Sequence, residues 1–173
     1  MLNIEFGCGP KHNKGFVGCD IRSFPHVKYK CKSWEIQDLY NMPNNSVDTI
    51  YSRHFIEHLT FFDFDRTLRV WYNILKPAGR LMIVCPDLLF HIEQWLMPNR
   101  KEVFNISGSM SYEEWAMKSF YGHQHEVEAG EDWDIHKSGY DMAYLTDKLE
   151  AAGFKNIIRR VELSKNLNVE CTK

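Results

Sequence analysis

The chain has 173 residues, a net charge of −2, and ordinary fractions of apolar (44%) and charged (25%) residues. This length predicts one globular domain with a sizeable core, and the charge balance gives no reason to expect a nucleic-acid partner. Five cysteines without a C-x-x-C pair argue against a disulfide framework or a zinc ribbon. No signal peptide and no run of about 18 apolar residues is present, so we expect a cytoplasmic protein outside the membrane.

The first predicted strand leads into a glycine-containing turn. Residues Leu2–Phe6 predict a buried strand with Glu5 near its carboxyl end, and Gly7, Cys8 and Gly9 follow. Glycine lets the backbone turn sharply and approach a ligand with no Cβ in the way. Open α/β sheets bind ligands at the carboxyl ends of their strands, so Glu5 and this turn are candidate binding groups.

A second apolar run, Gly15–Ile21, ends in an acid, Asp20. An acid that closes the second strand typically binds the hydroxyls of a ribose, which predicts a nucleoside site. A dinucleotide would need a third glycine three residues after Gly9, where the chain has His12. The pattern therefore favours S-adenosylmethionine, which has no phosphate, over a nicotinamide cofactor.

The connection between these two strands, residues 7–15, is short. Parallel strands are normally joined by a dozen or more residues, usually a helix, so we expect the first helix to be reduced to a loop. Residues 27–32 alternate Val, Tyr and Cys with lysines, which is typical of an edge strand. Whether this strand joins the sheet in parallel is left open.

The middle of the chain predicts a strand, a helix and another strand. Val47–Ser52 reads as a buried fourth strand beside the first, and Arg80–Cys85 as the fifth. Between them, apolar residues recur at helical spacing and predict a core-facing helix that ends at Lys76–Gly79. These residues are Phe64, Leu68, Trp71, Tyr72 and Leu75.

Residues 88–137 predict a partly helical insertion, a lid over the carboxyl ends of the strands. Because the first strand begins at residue 2, we expect closure of the pocket to come from this lid or from a second subunit. Most of the lid's aromatic residues are expected to pack in its own small core. These are Trp95, Trp115, Phe120, Tyr121 and Trp133.

The last part of the chain predicts a helix and two strands. Ser138 and Asp141 form a capping-box-like start for a helix over residues 140–152, which stops at Gly153. Residues 154–161 and 168–172 read as two closing strands.

Several of these segments, in this order, resemble motifs of the class I S-adenosylmethionine-dependent methyltransferases. They are Glu5–Pro10 with Asp20, Asp38–Pro43, Ser46–Ile50, His54–Leu59 and Leu75–Leu81. Tyr121-Gly122 and Asp134–Tyr140 are similar to a subgroup of small predicted methyltransferases. The resemblance implies one methyltransferase domain over residues 1–173. It also implies a Rossmann-like, mostly parallel sheet that ends in an antiparallel hairpin.

The resemblance further implies a set of cofactor-binding residues. Gly7 and Gly9 would let the backbone approach the methionine, Glu5 would orient the loop or contact the donor's amino end, and Asp20 would bind the ribose. Asp38 would contact the adenine amino group, with a turn or cap aspartate as the alternative. Lys11 stands where the family often has a third glycine. The full set is Glu5, Phe6, Gly7, Cys8, Gly9, Asp20, Ile21, Asp38, Leu39 and His54.

Methyl transfer needs a general base when the acceptor group is protonated at the working pH. We predict His136 in this role, with simple helix-entry packing as the alternative, and His54 and His58 as further catalytic candidates. His58 also fits a structural role at the helix, and His123 and His125 are weaker candidates. The spacing of His54, Glu57 and His58 is similar to that of metal-binding methyltransferase segments. Its first residue is His rather than an acid, so we predict no metal.

These observations predict transfer of a methyl group to a small-molecule acceptor, such as a sugar or another hydroxylated compound. The alternative is a subunit that binds S-adenosylmethionine without turnover, as a regulatory or partner protein.

Overall fold

The computed structural model describes residues 1–104, 110–124, 127, 131–161 and 164–173. A seven-stranded sheet in the order β3-β2-β1-β4-β5-β9-β8 forms its centre. The strands are β1 Asn3–Phe6, β2 Val17–Asp20, β3 Val27–Lys30, β4 Val47–Arg53, β5 Leu75–Pro86, β8 Lys155–Arg159 and β9 Asn166–Thr172. The short strands β6 (Val103–Phe104) and β7 (Met110–Ser111) pair separately.

The sheet is mostly parallel. Strands β1 to β5 pair in parallel, whereas β9 is antiparallel to both β5 and β8. The predicted fold class, with its antiparallel end, is therefore confirmed. β3 joins in parallel at the edge, where Lys28 and Lys30 are exposed and Tyr29 is buried. This settles the orientation that the sequence left open.

The helices are α1 Ile36–Tyr40, α2 Phe61–Ile74, α3 Leu88–Leu96, α4 Tyr112–Tyr121 and α5 Met142–Ala151. Short 3-10 turns precede α1 and α2, at Ser33–Glu35 and Ile56–His58. In the described part of the chain, no helix combines the length and apolarity that a bilayer crossing requires.

The two faces of the sheet are buried to different extents. Strand register aligns Ile4, Ile50, Leu81 and Cys171 in one row, and all four side chains are fully or almost fully buried. The helix α2 covers this side, because Trp71 packs against Phe6 of β1 with ring centroids 5.1 Å apart. The row on the opposite face is Glu5, Tyr51, Met82 and Glu170, of which the last three are half-buried.

The apolar face of α2 behaves as its spacing predicts. Phe64, Leu68 and Trp71 recur at positions that share one side of a helix, and each is at most 1% exposed. Thr60 caps the helix, accepting a hydrogen bond from the Asp63 backbone N–H at 3.1 Å. Burying three large side chains here fixes α2 against the sheet.

Two local predictions are corrected. Asp141, rather than Ser138, caps α5, because its side chain accepts a hydrogen bond from the Tyr144 N–H at 2.8 Å. Ser138 Oγ instead lies 3.2 Å from the carbonyl oxygen of Ile56. β5 begins at Leu75, before the predicted Arg80, and its register against β4 shifts between Val47, which pairs with Leu75, and Thr49, which pairs with Arg80.

Candidate functional site

A cleft of about 610 Å³ opens at the carboxyl ends of β1, β2 and β4. Its volume lies within the range of about 300–1,000 Å³ that small-molecule sites occupy. Among the predicted cofactor-binding residues, those that line it are Phe6, Gly7, Asp20, Ile21 and His54. The open edge of this sheet is where α/β folds bind ligands.

The connection between β1 and β2 is a loop held by side chains, in agreement with the prediction of a reduced first helix. Glu5 accepts hydrogen bonds from the backbone N–H and the side-chain amide of Asn13. Gly9 donates its N–H to Asp20 at 2.8 Å, and its carbonyl lies 2.8 Å from Nε2 of His26. Glu5 thus holds the loop, which was one of the two roles predicted for it, and it is not among the cleft's lining residues.

Burial dominates the electrostatics of this loop. It raises the pKa of Glu5, although the hydrogen bonds from Asn13 act in the opposite direction. Burial also raises the pKa of the Cys8 thiol to about 11, so Cys8 stays protonated at neutral pH. Like Glu5, Cys8 and Gly9 lie behind the cleft wall and not on it.

Position 7 requires glycine for two reasons, its positive φ and the close approach of the Phe55 ring. Its φ is +64°, and a Cβ there would lie 2.3 Å from Cδ2 of Phe55. Phe55 itself lines the cleft and packs on Trp71, with ring centroids 6.3 Å apart. The space beside Gly7 is therefore filled by an aromatic ring of the chain.

Asp20 is buried at the cleft with both oxygens engaged. Its Oδ1 accepts the backbone N–H of Arg22 at 2.8 Å, in addition to the bond that Oδ2 receives from Gly9. The Arg22 guanidinium stacks over the ring of Trp133, 4.1 Å from its centroid. Residues 132–134 thereby form part of the cleft wall.

Asp38, which was predicted to contact adenine, and Leu39, which was predicted to bind the cofactor, are not among the residues that line the cleft. Both are exposed on α1. That wall is formed instead by residues 31–35, which include Trp34 and Glu35. The 3-10 turn at Ser33–Glu35 places these residues at the cleft, whereas Asp38 lies in the following helix, outside the cleft lining. The structure gives the predicted role of Asp38 no support.

His54 stands at the end of β4 in an uncommon conformation. Its φ is +47°, a value that non-glycine residues rarely adopt and that occurs often at functional sites. Its Nδ1 lies 3.1 Å from Oε1 of Glu57. Its Nε2 is 3.5 Å from the side-chain amide of Asn166. His54 therefore lines the cleft, as predicted, and also orients Glu57.

His58 and His136 meet edge to face, with ring centroids 5.0 Å apart. Nδ1 of His58 lies 3.0 Å from the carbonyl oxygen of Ile135, and Nδ1 of His136 lies 2.7 Å from that of Ser119. A carbonyl oxygen only accepts, so both Nδ1 atoms carry a proton, and in its neutral form each ring leaves Nε2 as an acceptor. Burial lowers the pKa of His136, which favours this neutral form.

Glu57 is a functional candidate that the sequence analysis considered only as part of a metal-binding spacing, for which it predicted no metal. It is 1% exposed, and its Oε2 has no hydrogen-bond partner within the described part of the chain. A buried carboxylate oxygen without a partner is costly and calls for a ligand or an ion. The residue pattern could have flagged an acid between two histidines, but not its burial.

A second cavity, of about 500 Å³, adjoins the cleft. The two share His54, His58 and Asp134, and Glu57 and His136 line the second. Trp115 and Ser119 of α4, which belong to the segment predicted as a lid, also line it. Trp115 also packs on Phe90 and His91, in line with the expected lid core. His123 lines this cavity too, whereas His125 lies outside the described residues.

Comparisons with known proteins agree with this geometry. Residues 15–83 match the family described as a methyltransferase domain. No curated protein matches the chain in sequence. A solved structure of a SAM-dependent methyltransferase from Archaeoglobus fulgidus is similar, with a TM-score of 0.60, 16% identity, and coverage of 99% of this chain and 85% of that one.

Two further solved structures have the same fold. One is a SAM-dependent methyltransferase from Mesorhizobium loti (TM-score 0.58, 15% identity, 99% and 90% coverage). The other is the 1,6-didemethyltoxoflavin-N1-methyltransferase of Burkholderia thailandensis, solved with S-adenosylhomocysteine (TM-score 0.58, 13% identity, 99% and 70% coverage).

The solved structures confirm the fold predicted from the sequence, and the family match covers residues 15–83. The chain has the fold of a class I S-adenosylmethionine-dependent methyltransferase, and residues 15–83 carry that domain's sequence pattern. Both findings support an enzyme that uses S-adenosylmethionine.

Proposed function

We propose that the chain binds S-adenosylmethionine in the 610 Å³ cleft and transfers its methyl group to a hydroxylated small molecule in the adjoining cavity. The observation that carries this proposal is the meeting of the two cavities at His54 and His58. A group-transfer enzyme must hold two reactants side by side with their reacting atoms in contact. The residues from 132 to 137 that line the cleft serve as the closing part of the lid.

Asp20 is the residue we assign to the donor ribose. Each of its oxygens already accepts a backbone hydrogen bond, which holds the carboxylate in one orientation. A carboxylate has about four acceptor positions, and Nε of Arg22, 3.3 Å from Oδ1, occupies a third one, so the second ribose hydroxyl would take the place of the Arg22 side chain. Phe6, Gly7 and Ile21 complete the wall along which the donor would lie.

The reaction breaks one bond and forms one. The acceptor oxygen forms a bond to the methyl carbon while the S–CH₃ bond breaks, and its electron pair turns the sulfonium into the neutral thioether of S-adenosylhomocysteine. The acceptor's proton leaves to a base. Because the donor is already activated, the protein mainly supplies position and exclusion of water.

His136 is our candidate for receiving or orienting the acceptor hydroxyl. Ser119 fixes its ring through Nδ1, so that Nε2 is left to accept a hydrogen bond at the cavity. His58, held by the carbonyl of Ile135, likewise leaves its Nε2 to accept a hydrogen bond, and it lines both cavities. His136 therefore acts on the acceptor, whereas His58 lies where donor and acceptor meet.

Calorimetry tests the donor site. We expect S-adenosylmethionine and S-adenosylhomocysteine to bind and NAD not to bind. Asp20→Asn should weaken donor binding about 10- to 100-fold, since a hydrogen bond to a charged group is worth about 1.5–3 kcal/mol. Asp38→Asn is the matched control and should change affinity less than about twofold. Equal losses in both variants would contradict the assignment.

Turnover separates the enzyme from the non-catalytic alternative. The chain should convert S-adenosylmethionine to S-adenosylhomocysteine when supplied with a panel of sugars and phenols. His136→Ala should abolish turnover and leave donor affinity unchanged. Full activity in that variant would remove His136 from the mechanism. Donor binding without turnover across acceptors of every class would favour a regulatory subunit.

A further inference from the structure

Three side chains converge between the cleft and its neighbouring cavity. Glu57, His58 and His136 each offer a ligand atom, and these atoms all lie within 4.8 Å of one another. Glu57 and His58 come from the turn after β4, whereas His136 comes from the segment before α5. The group therefore exists only in the folded chain.

The histidines are held in the way that metal ligands are held. Metal-binding histidines commonly donate their second ring N–H to a carbonyl or carboxylate, which fixes the tautomer and aims the free nitrogen. Here Ile135 and Ser119 supply those carbonyls, at 3.0 and 2.7 Å. Both Nε2 lone pairs are thus left for a further partner.

The carboxylate supplies the second observation. Oε1 of Glu57 is bound by His54, while Oε2, fully buried, has no partner among the residues described. A negative oxygen enclosed without a donor is stabilised by a cation. His54, bound to Oε1, would then hold the carboxylate in place.

We propose that Glu57, His58 and His136 bind one divalent transition-metal ion at the acceptor side of the cleft. Neighbouring ligand atoms round such an ion are about 3–3.5 Å apart, given bond lengths of about 2.0–2.2 Å, so ligand atoms that are up to 4.8 Å apart must approach one another by up to about 1.3–1.8 Å. Two imidazole nitrogens and one carboxylate oxygen suit zinc, manganese, iron or cobalt, and not magnesium or calcium, which take oxygen ligands. The coordination positions left over face the acceptor cavity.

This inference rests on the proposed function and makes it more specific. An ion at this place binds an acceptor through oxygen atoms and lowers the pKa of a bound hydroxyl. His136 would then act through the ion, and the acceptor would be a compound with one or two oxygen atoms able to coordinate it. The sequence predicted no metal because it considered His54 as the first ligand, whereas the structure places His136 in the set.

Cobalt binding to the full-length protein tests the site without any methyl acceptor. After treatment with a chelator, the wild-type chain should bind one Co²⁺ per molecule and give a visible absorption spectrum typical of nitrogen and oxygen ligands. His136→Ala and Glu57→Gln should each weaken binding at least about 100-fold, beyond the 10- to 100-fold effect of losing an outer partner. His54→Ala, which removes such an outer partner, should weaken cobalt binding less than these two substitutions do.

His123→Ala is the matched control, because it lines the same cavity without belonging to the group. Its cobalt affinity should equal that of the wild type. Wild-type protein that binds no Co²⁺, Mn²⁺ or Zn²⁺ would overturn the proposal, and this result does not depend on whether a variant folds. So would unchanged affinity in His136→Ala.

Binding of S-adenosylhomocysteine, measured on the same samples, tells the two proposals apart. Retained donor binding and methyl transfer without any ion would refute the metal site alone. Loss of donor binding in the wild type would refute the proposed function. His136→Ala and Glu57→Gln should keep the donor affinity of the wild type.

Discussion

Replacing Gly7 with Ala separates backbone strain from steric overlap at the donor site. Gly7 and Gly9 have nearly equal positive φ values, +64° and +59°, but different surroundings. A Cβ at Gly7 would lie 2.3 Å from the ring of Phe55, whereas at Gly9 the nearest atom is 3.6 Å away on Arg22. Ordinary van der Waals contact begins at 3.4 Å, so Phe55 would have to move by about 1 Å.

The expected stability losses follow from these two terms. Alanine in the left-handed region costs about 1–2 kcal/mol at either position. Overpacking adds about 1–3 kcal/mol at Gly7 alone. We therefore expect urea denaturation to give a loss of about 2–5 kcal/mol for Gly7→Ala and about 1–2 kcal/mol for Gly9→Ala.

A double-mutant cycle isolates the overlap. In the background of Phe55→Ala, the ring is gone and Gly7→Ala should cost no more than Gly9→Ala does in the wild type. Calorimetry with S-adenosylhomocysteine should show weaker binding for Gly7→Ala, because Phe55 lines the cleft. Equal losses for the two glycine variants, with no coupling to Phe55, would refute this reasoning.

Three further predictions concern the lid side of the molecule. Burial lowers the pKa of His91 to about 4, so below pH 6.5 the unfolded chain binds a proton that the folded chain does not. The free energy of unfolding should therefore fall with falling pH, by at most about 1.4 kcal/mol per pH unit. His91→Gln should lose this slope in denaturation measured from pH 7 to 4, and an unchanged slope would contradict the prediction. Gly122→Ala places a Cβ 2.5 Å from the carbonyl oxygen of Asp134, beside His136, so the segment that carries His136 should shift. We expect kcat to fall much more than donor affinity, and equal falls would count against a displacement confined to His136. Arg159→Leu leaves the buried Asp87 carboxylate without its 2.7 Å partner and should lower the free energy of unfolding by about 3–5 kcal/mol. Adding Asp87→Asn should partly restore the stability, and a loss under about 1 kcal/mol in Arg159→Leu would show that the pair is solvated.

The sheet was predictable because its signals are local. Apolar runs marked β1, β2, β4 and β5, the first two closed by glycine or an acid, and a connection too short for a helix predicted the loop after β1. The alternating lysines of β3 marked an edge, although strand orientation depends on the crossover and not on the strand's own residues. Asp20 was found at the cleft because its position at a strand end determines its place.

The rest of the site depends on contacts between distant residues. A short turn at Ser33–Glu35 moved the cleft wall away from Asp38, and no spacing rule encodes such a turn. The contact of Phe55 with Gly7 likewise needed the fold. So did the meeting of Glu57 with His136, because the Lys137 and Ser138 backbone N–H groups donate to the carbonyl oxygen of Glu57, a residue distant in the chain.

The strand lengths described above imply uneven local stability. β1, β2 and β3 have four residues each, whereas β4, β5 and β9 have seven, twelve and seven. Fewer ladder hydrogen bonds and an exposed edge let the short-stranded side open at a lower free energy than the long-stranded side. Amide hydrogens of β2 and β3 should exchange sooner than those of β5. An adenosine ligand bound at Asp20 should slow the exchange of β2 and β3 selectively.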